Sequence, residues 1–132
     1  MSLTANHNGA EFSVGDVVKV TQRIKEGDKS RSYVFEGVVI SIKGRDINRS
    51  FTVRRIGAAQ IGIERIFPLS SPIIEKISIV REGGKGVSHA KLYNIRGKSK
   101  RDVEKIYTRH NARSQKPKTV KKTVTAKKKS SK

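Results

Sequence analysis

The chain has 132 residues, 34% hydrophobic and 31% charged, with thirty Lys and Arg against eleven Asp and Glu. That length and apolar content suit one small domain with extensions, and the formal net charge of +19 implies a polyanionic partner. The lack of cysteine excludes a disulfide framework, thiolate metal sites and a cysteine nucleophile, and no run approaches the ~18 apolar residues that span a bilayer.

Residues 1–11 show no periodic apolar pattern and no charged segment followed by an apolar one, so a flexible N-terminal arm on an unexported, cytoplasmic chain is expected. In "DVVKVTQRIKEG" Val18, Val20 and Ile24 alternate with Lys19, Thr21, Arg23 and Lys25, which predicts a half-buried strand ending at a glycine turn. "SYVFEGVVISIKG" predicts a long central strand with Val38, Ile40 and Ile42 on one face. There Val39 breaks the alternation, and Gly37 is expected to mark a bulge or bend. The polar "KGRDINRS" then joins this strand to "SFTVRRIG" as a hairpin, with Phe51 and Val53 on one face. "IGIERIFP" follows, with Ile61, Ile63, Arg65 and Phe67 on one side and Glu64, Ile66 and Pro68 on the other. Neither side is purely polar or apolar, so cover on both sides, or by a partner on one, is expected, and Pro68 ends the strand because it cannot donate to a ladder.

"IIEKISIVRE" and "AKLYNIRG" read as fifth and sixth strands, and "SKRDVEKIYTRH" as a helix over 99–110 with Val103, Ile106 and Tyr107 at helical spacing. The predicted fold is mainly β: a small closed or nearly closed antiparallel barrel over 12–98, a short C-terminal helix, and a basic tail. Charge is graded along it. Residues 12–82 hold thirteen bases and eight acids, 83–110 eight and two, and 111–132 nine and none. That last stretch carries no large aromatic or leucine and is predicted to be disordered when unbound.

Five blocks, "FSVGDVVKV", "VFEGVVIS", "FTVRRI", "GIERIFPLSSP" and "AKLYNIR", run in order from Phe12 to Arg96. Together they resemble the bacterial large-subunit ribosomal protein nineteen family. The resemblance implies an SH3-like barrel bound to large-subunit ribosomal RNA where that subunit meets the small one. It also implies a part in an intersubunit bridge, contacts with small-subunit ribosomal RNA and neighbouring ribosomal proteins, and no catalytic role. The chain departs from the pattern in "REGGKGVSH", glycine-rich and bearing Glu82 where the family places several arginines, and after Arg96.

Candidate RNA-binding residues are Arg31, Lys43, Arg45 and Arg49 at strand ends or hairpin loops, Arg65 within the strand "GIERIFP", Lys85 in "GGKG", and Lys91 and Arg96 flanking Tyr93. Arg54 and Arg55 are neighbours on one strand and point to opposite faces, so at most one faces the core. Arginine suits the task because its planar fork grips a phosphate with two hydrogen bonds and stacks on splayed bases. Tyr93 is expected either to stack on a base or to complete the core. Glu36 and Glu64 are expected to pair across strands with arginines such as Arg54 or Arg65. His7, His89 and His110 are isolated, so no metal is expected. No phosphate loop or nucleophile with a base appears, which argues against an enzyme, a cofactor or a small-molecule substrate. The tail lacks the large apolar residues of a membrane anchor. The alternative is a stand-alone RNA- or DNA-binding barrel, such as a transcription or nucleoid factor.

Overall fold

The computed structural model describes residues 4–83 and 89–115, with backbone alone over 110–115. Seven strands and one helix follow in order: β1 Thr4–His7, β2 Ala10–Ser13, β3 Val17–Glu26, β4 Lys29–Lys43, β5 Ser50–Ile56, β6 Gly62–Pro68, β7 Ile74–Arg81 and α1 Lys100–Gln115. Strands β3 to β7 form one antiparallel sheet in the order β6-β5-β4-β3-β7, and β1 pairs only with β2. The fold is therefore mainly β with a C-terminal helix, as predicted, but the sheet is not closed. Its edges, β6 and β7, do not meet. The N-terminal hairpin covers the apolar face instead, burying Ala5, Phe12 and Val14 in the same cluster as Val18, Val20, Phe35, Phe51 and Phe67.

That hairpin corrects the expected flexible arm. Asn8 and Gly9 adopt φ of 48° and 85°, the pair of left-handed residues that a type I′ two-residue hairpin turn requires, and Asn-Gly is the dipeptide best suited to it. Ala5 and Phe12, cross-strand partners, are 2% and 1% exposed, so the hairpin from Thr4 onward is ordered structure that contributes these two side chains to the core. Strands β3 and β4 are likewise joined by a two-residue turn, Gly27-Asp28, between the partners Glu26 and Lys29, with Gly27 at φ 59°.

The broken alternation in β4 has a specific cause. Val39 pairs with Val53, but the next pair is Ser41 with Thr52, so Ile40 is an extra, bulged residue. The bulge shifts the phase: Phe35 and Val39 before it, and Ile42 after it, join the same core. Gly37 is not the bulge. It sits where β5 crosses closest, and a β-carbon there would stand 2.5 Å from the Arg54 carbonyl oxygen. Four phenylalanines fill the core, with Phe51 edge-on to Phe12 at 4.9 Å and stacked on Phe67 at 5.4 Å.

The predicted sixth strand is instead a 3-10 turn, Tyr93–Gly97. Its apolar residues Leu92 and Ile95 recur every three positions, which matches that turn, and Leu92 N–H bonds the Ile40 carbonyl, tying the segment to the bulge. Helix α1 starts where expected. The Ser99 hydroxyl accepts the Asp102 N–H and donates to its carboxylate, an N-terminal cap. The helix continues past His110 to Gln115, beyond the predicted boundary, while residues 116–132 of the tail and 84–88 of the "GGKG" segment lie outside the described residues. Tyr107 is buried against the sheet, and its hydroxyl donates to the Gly15 carbonyl.

Candidate nucleic-acid interface

The register of β5 against β6 places Arg54 opposite Glu64. Arg54 Nη1 donates to Glu64 Oε1 at 2.9 Å, and Nη2 donates to the Arg96 carbonyl at 3.1 Å. Gly62 makes this possible, because any β-carbon there would collide with the Arg54 guanidinium. The Arg54 side chain is 14% exposed, so its charge is committed within the protein. Glu64 also takes a fork from the 3-10 turn: Arg96 Nε and Nη2 donate to its two oxygens at 2.7 and 2.8 Å. The Arg96 bonds, aided by Arg54 and opposed by partial burial, hold the Glu64 carboxyl below the usual glutamate range.

Arg96 in turn lies 4.6 Å from the centroid of the Tyr93 ring, with Lys91 and Lys43 ammonium groups at 5.8 and 6.0 Å. Tyr93 is 36% exposed, so it is a surface ring and not a core one. Burial acts to raise its hydroxyl, but bonds with Ser41 and Lys43 and the charges of Lys43 and Lys91 outweigh it and lower the group. Four candidates from the sequence, Lys43, Lys91, Tyr93 and Arg96, thus converge around one ring, with Arg54 behind them.

A second group lies on the opposite face of β5 and β6. Arg65 sits 5.5 Å from the Tyr33 ring and 5.6 and 5.7 Å from those of Phe35 and Phe67. Arg55 sits 5.4 Å from Phe35. Both are half-buried at the rim of the core, which explains the mixed faces of "GIERIFP": Phe67 is buried, Arg65 shields it, and Ile66 on the other side is exposed. The remaining candidates stand apart. Arg31 is exposed on β4 near the β3–β4 turn, and Arg45 is exposed just before the 3-10 turn Asp46–Asn48. Arg49 donates to the Thr4 carbonyl and holds the N-terminal hairpin. Lys85 lies outside the described residues.

Sequence reasoning offered Arg54 or Arg65 as partners for Glu36 and Glu64; the structure pairs Glu64 with Arg54 and Glu36 with Lys19, and adds Arg96, which is 32 residues from Glu64 and carries no local signal. Sequence reasoning also missed a groove between the turn at Gly57–Gln60 and the start of α1, lined by Arg54, Arg96, Lys98, Lys100 and Arg101. The run "KSKR" was the available clue. Among the described residues no group of three His, Cys, Asp or Glu is placed to hold a metal ion, and no helix is long and apolar enough to cross a membrane.

An open antiparallel sheet, a net charge of +19 and cations gathered on aromatic rings define a small, strongly basic β protein. The family model described as Ribosomal protein L19 matches residues 2–109, and the chain belongs to that family. It is 59% identical over 93 residues to the large ribosomal subunit protein bL19 of Thermosipho africanus, covering 68% of this chain and 79% of that protein. Its counterpart in Thermosipho melanesiensis is 58% identical over the same length. That of Pelobacter propionicus is 52% identical over 103 residues, 76% of this chain and 84% of the relative.

Proposed function

We propose that this protein is a structural constituent of the large ribosomal subunit that binds ribosomal RNA and contributes to an intersubunit bridge, with no catalytic role. The match of residues 2–109 to its family carries the reading. The clustering of Lys43, Lys91 and Arg96 on Tyr93, and of Arg55 and Arg65 on the opposite face, supports it, because arginine and lysine on aromatic rings suit RNA phosphates and splayed bases. Large-subunit RNA is the main partner, with small-subunit RNA across the interface, neighbouring ribosomal proteins, and the cytoplasmic ribosome as the location.

The test is copurification and crosslinking. The protein should remain stoichiometric with large subunits through a high-salt wash and crosslink to large-subunit RNA. Crosslinks to small-subunit RNA should appear only in joined ribosomes. Loss in the wash would favour the stand-alone nucleic-acid-binding factor, and absence of small-subunit crosslinks would remove the bridge from the proposal.

A further inference from the structure

Glu64 fixes the use to which Arg96 can be put. The Nε–Nη2 edge of the guanidinium is taken by the carboxylate at 2.7 and 2.8 Å, and this two-point pairing sets how the group is turned. The pairing also fixes the plane of the group. One face of it meets Tyr93 at 4.6 Å, and the Arg96 side chain is still 50% exposed. Arg54, bonded to both Glu64 and the Arg96 carbonyl, fixes the assembly to β5. The stack is therefore held in place before any ligand arrives, and the ammonium groups of Lys43 and Lys91 stand within 6.0 Å of the same ring.

We propose that the exposed side of the Arg96–Tyr93 stack is a subsite for one unstacked nucleotide of RNA, its base lying on the guanidinium plane and its phosphate met by Lys43 and Lys91. The proposal rests on the RNA-binding reading above and narrows it to single-stranded RNA. A flat cation backed by an aromatic ring offers a base a stacking partner of its own width, whereas bases within a duplex already stack on each other. Glu64 is a positioning residue here: it touches no RNA but holds Arg96 flat.

The full-length protein is titrated into a short single-stranded RNA carrying 2-aminopurine, and separately into the same sequence as a duplex, each variant being checked for a folded circular dichroism spectrum. Wild type should quench the 2-aminopurine. Tyr93→Ala should weaken single-strand binding roughly fivefold or more, as loss of a base-stacking platform does, and abolish the quenching, while Tyr93→Phe retains both and duplex binding changes little. Glu64→Gln separates positioning from charge. It removes a negative charge, so attraction alone makes binding to both RNAs tighter, whereas loss of the held guanidinium weakens single-strand binding and leaves the duplex unchanged or tighter. Unchanged quenching in Tyr93→Ala, or equal tightening on both RNAs in Glu64→Gln, overturns the subsite while leaving RNA binding intact. If wild type binds neither RNA, the RNA-binding reading fails and the subsite with it.

Discussion

Two glycines of the sheet distinguish a backbone obstacle from a side-chain one. Gly37 in β4 and Gly62 in β6 both lie in strand backbone that alanine also adopts. Substitution at either would therefore stabilise by about 0.4–1 kcal/mol, through a stiffer unfolded chain, if nothing stood in the way. At Gly37 the added methyl would stand 2.5 Å from the Arg54 carbonyl oxygen and 2.9 Å from Val53 Cγ1, so β5 must move away from β4 in the middle of the sheet. Overpacking costs typically 1–3 kcal/mol, and an unyielding backbone places Gly37→Ala near the top of that range, about 2–3 kcal/mol net. For about a hundred ordered residues that is a fall in Tm on the order of 10 °C. At Gly62 the methyl meets the guanidinium of Arg54, the far end of a flexible side chain. Arg54 swings aside and loses its bonds to Glu64 and the Arg96 carbonyl, a loss of about 1 kcal/mol that the stiffer unfolded chain largely offsets. Gly62→Ala should thus stay within about 1 kcal/mol of wild type. Urea unfolding followed by circular dichroism compares the midpoints, and equal slopes confirm that the compactness of the end states is unchanged. Equal costs at the two sites, or a Gly37→Ala protein melting within about 2 °C of wild type, would refute the claim that close strand approach is what requires glycine at Gly37.

Asp16 accepts the Ser13 N–H at 2.8 Å, the Ser13 hydroxyl at 3.0 Å and the Gly83 N–H at 2.8 Å. Asp16→Asn turns an amide donor toward those donors and should lower stability by about 2–3 kcal/mol, read as a lower urea midpoint. Tyr107→Phe removes the bond to Gly15 and should cost about 1 kcal/mol at neutral pH. Burial pushes the Tyr107 hydroxyl up to about 12 from an ordinary 10.0. The wild-type advantage should therefore be intact below pH 10 and shrink as the pH rises toward 12, as alkaline melts of the two proteins would reveal. Glu64 shows the opposite sign. Because bonds from Arg96 and Arg54 hold its carboxyl below the ordinary 4.5, its contribution should be present above that pH and disappear as the pH falls below it. Melting Glu64→Gln beside wild type across that range checks this, and a gap that persists at low pH counts against it.

Five of the seven strands were legible in the sequence because their residues alternate with period two and their ends are marked by glycine, proline or polar runs. β1 and β2 were hidden by polar composition: Thr4, Asn6 and Glu11 are ordinary surface residues, and only Ala5 and Phe12 report the burial. Asn8-Gly9 was the one readable signal there. The sixth strand was misread since "AKLYNIRG" fits alternation and three-residue spacing equally, and only the place left over on the sheet chooses between them. Openness of the sheet depends on whether β6 reaches β7, a matter of global curvature with no local signature. At the interface the cation types were readable and their grouping was not. Lys43 and Arg96 meet at Tyr93 across more than fifty residues of chain. Arg54, a candidate for RNA on type alone, is committed by Glu64 to internal structure.

The bond from Tyr107 to Gly15 spans 92 positions, and with it comes a constraint on when this protein can finish folding during its own synthesis. Strand β3 cannot complete its pairing until β7 has emerged, and α1 cannot cover Val17, Val38 and Ile56 until later still. Closing so long a loop carries an entropic cost that nearby contacts do not. A nascent chain stalled before Tyr107 would therefore display a finished hairpin and a half-sheathed sheet, leaving apolar side chains open to whatever chaperone or polyanion waits at the exit.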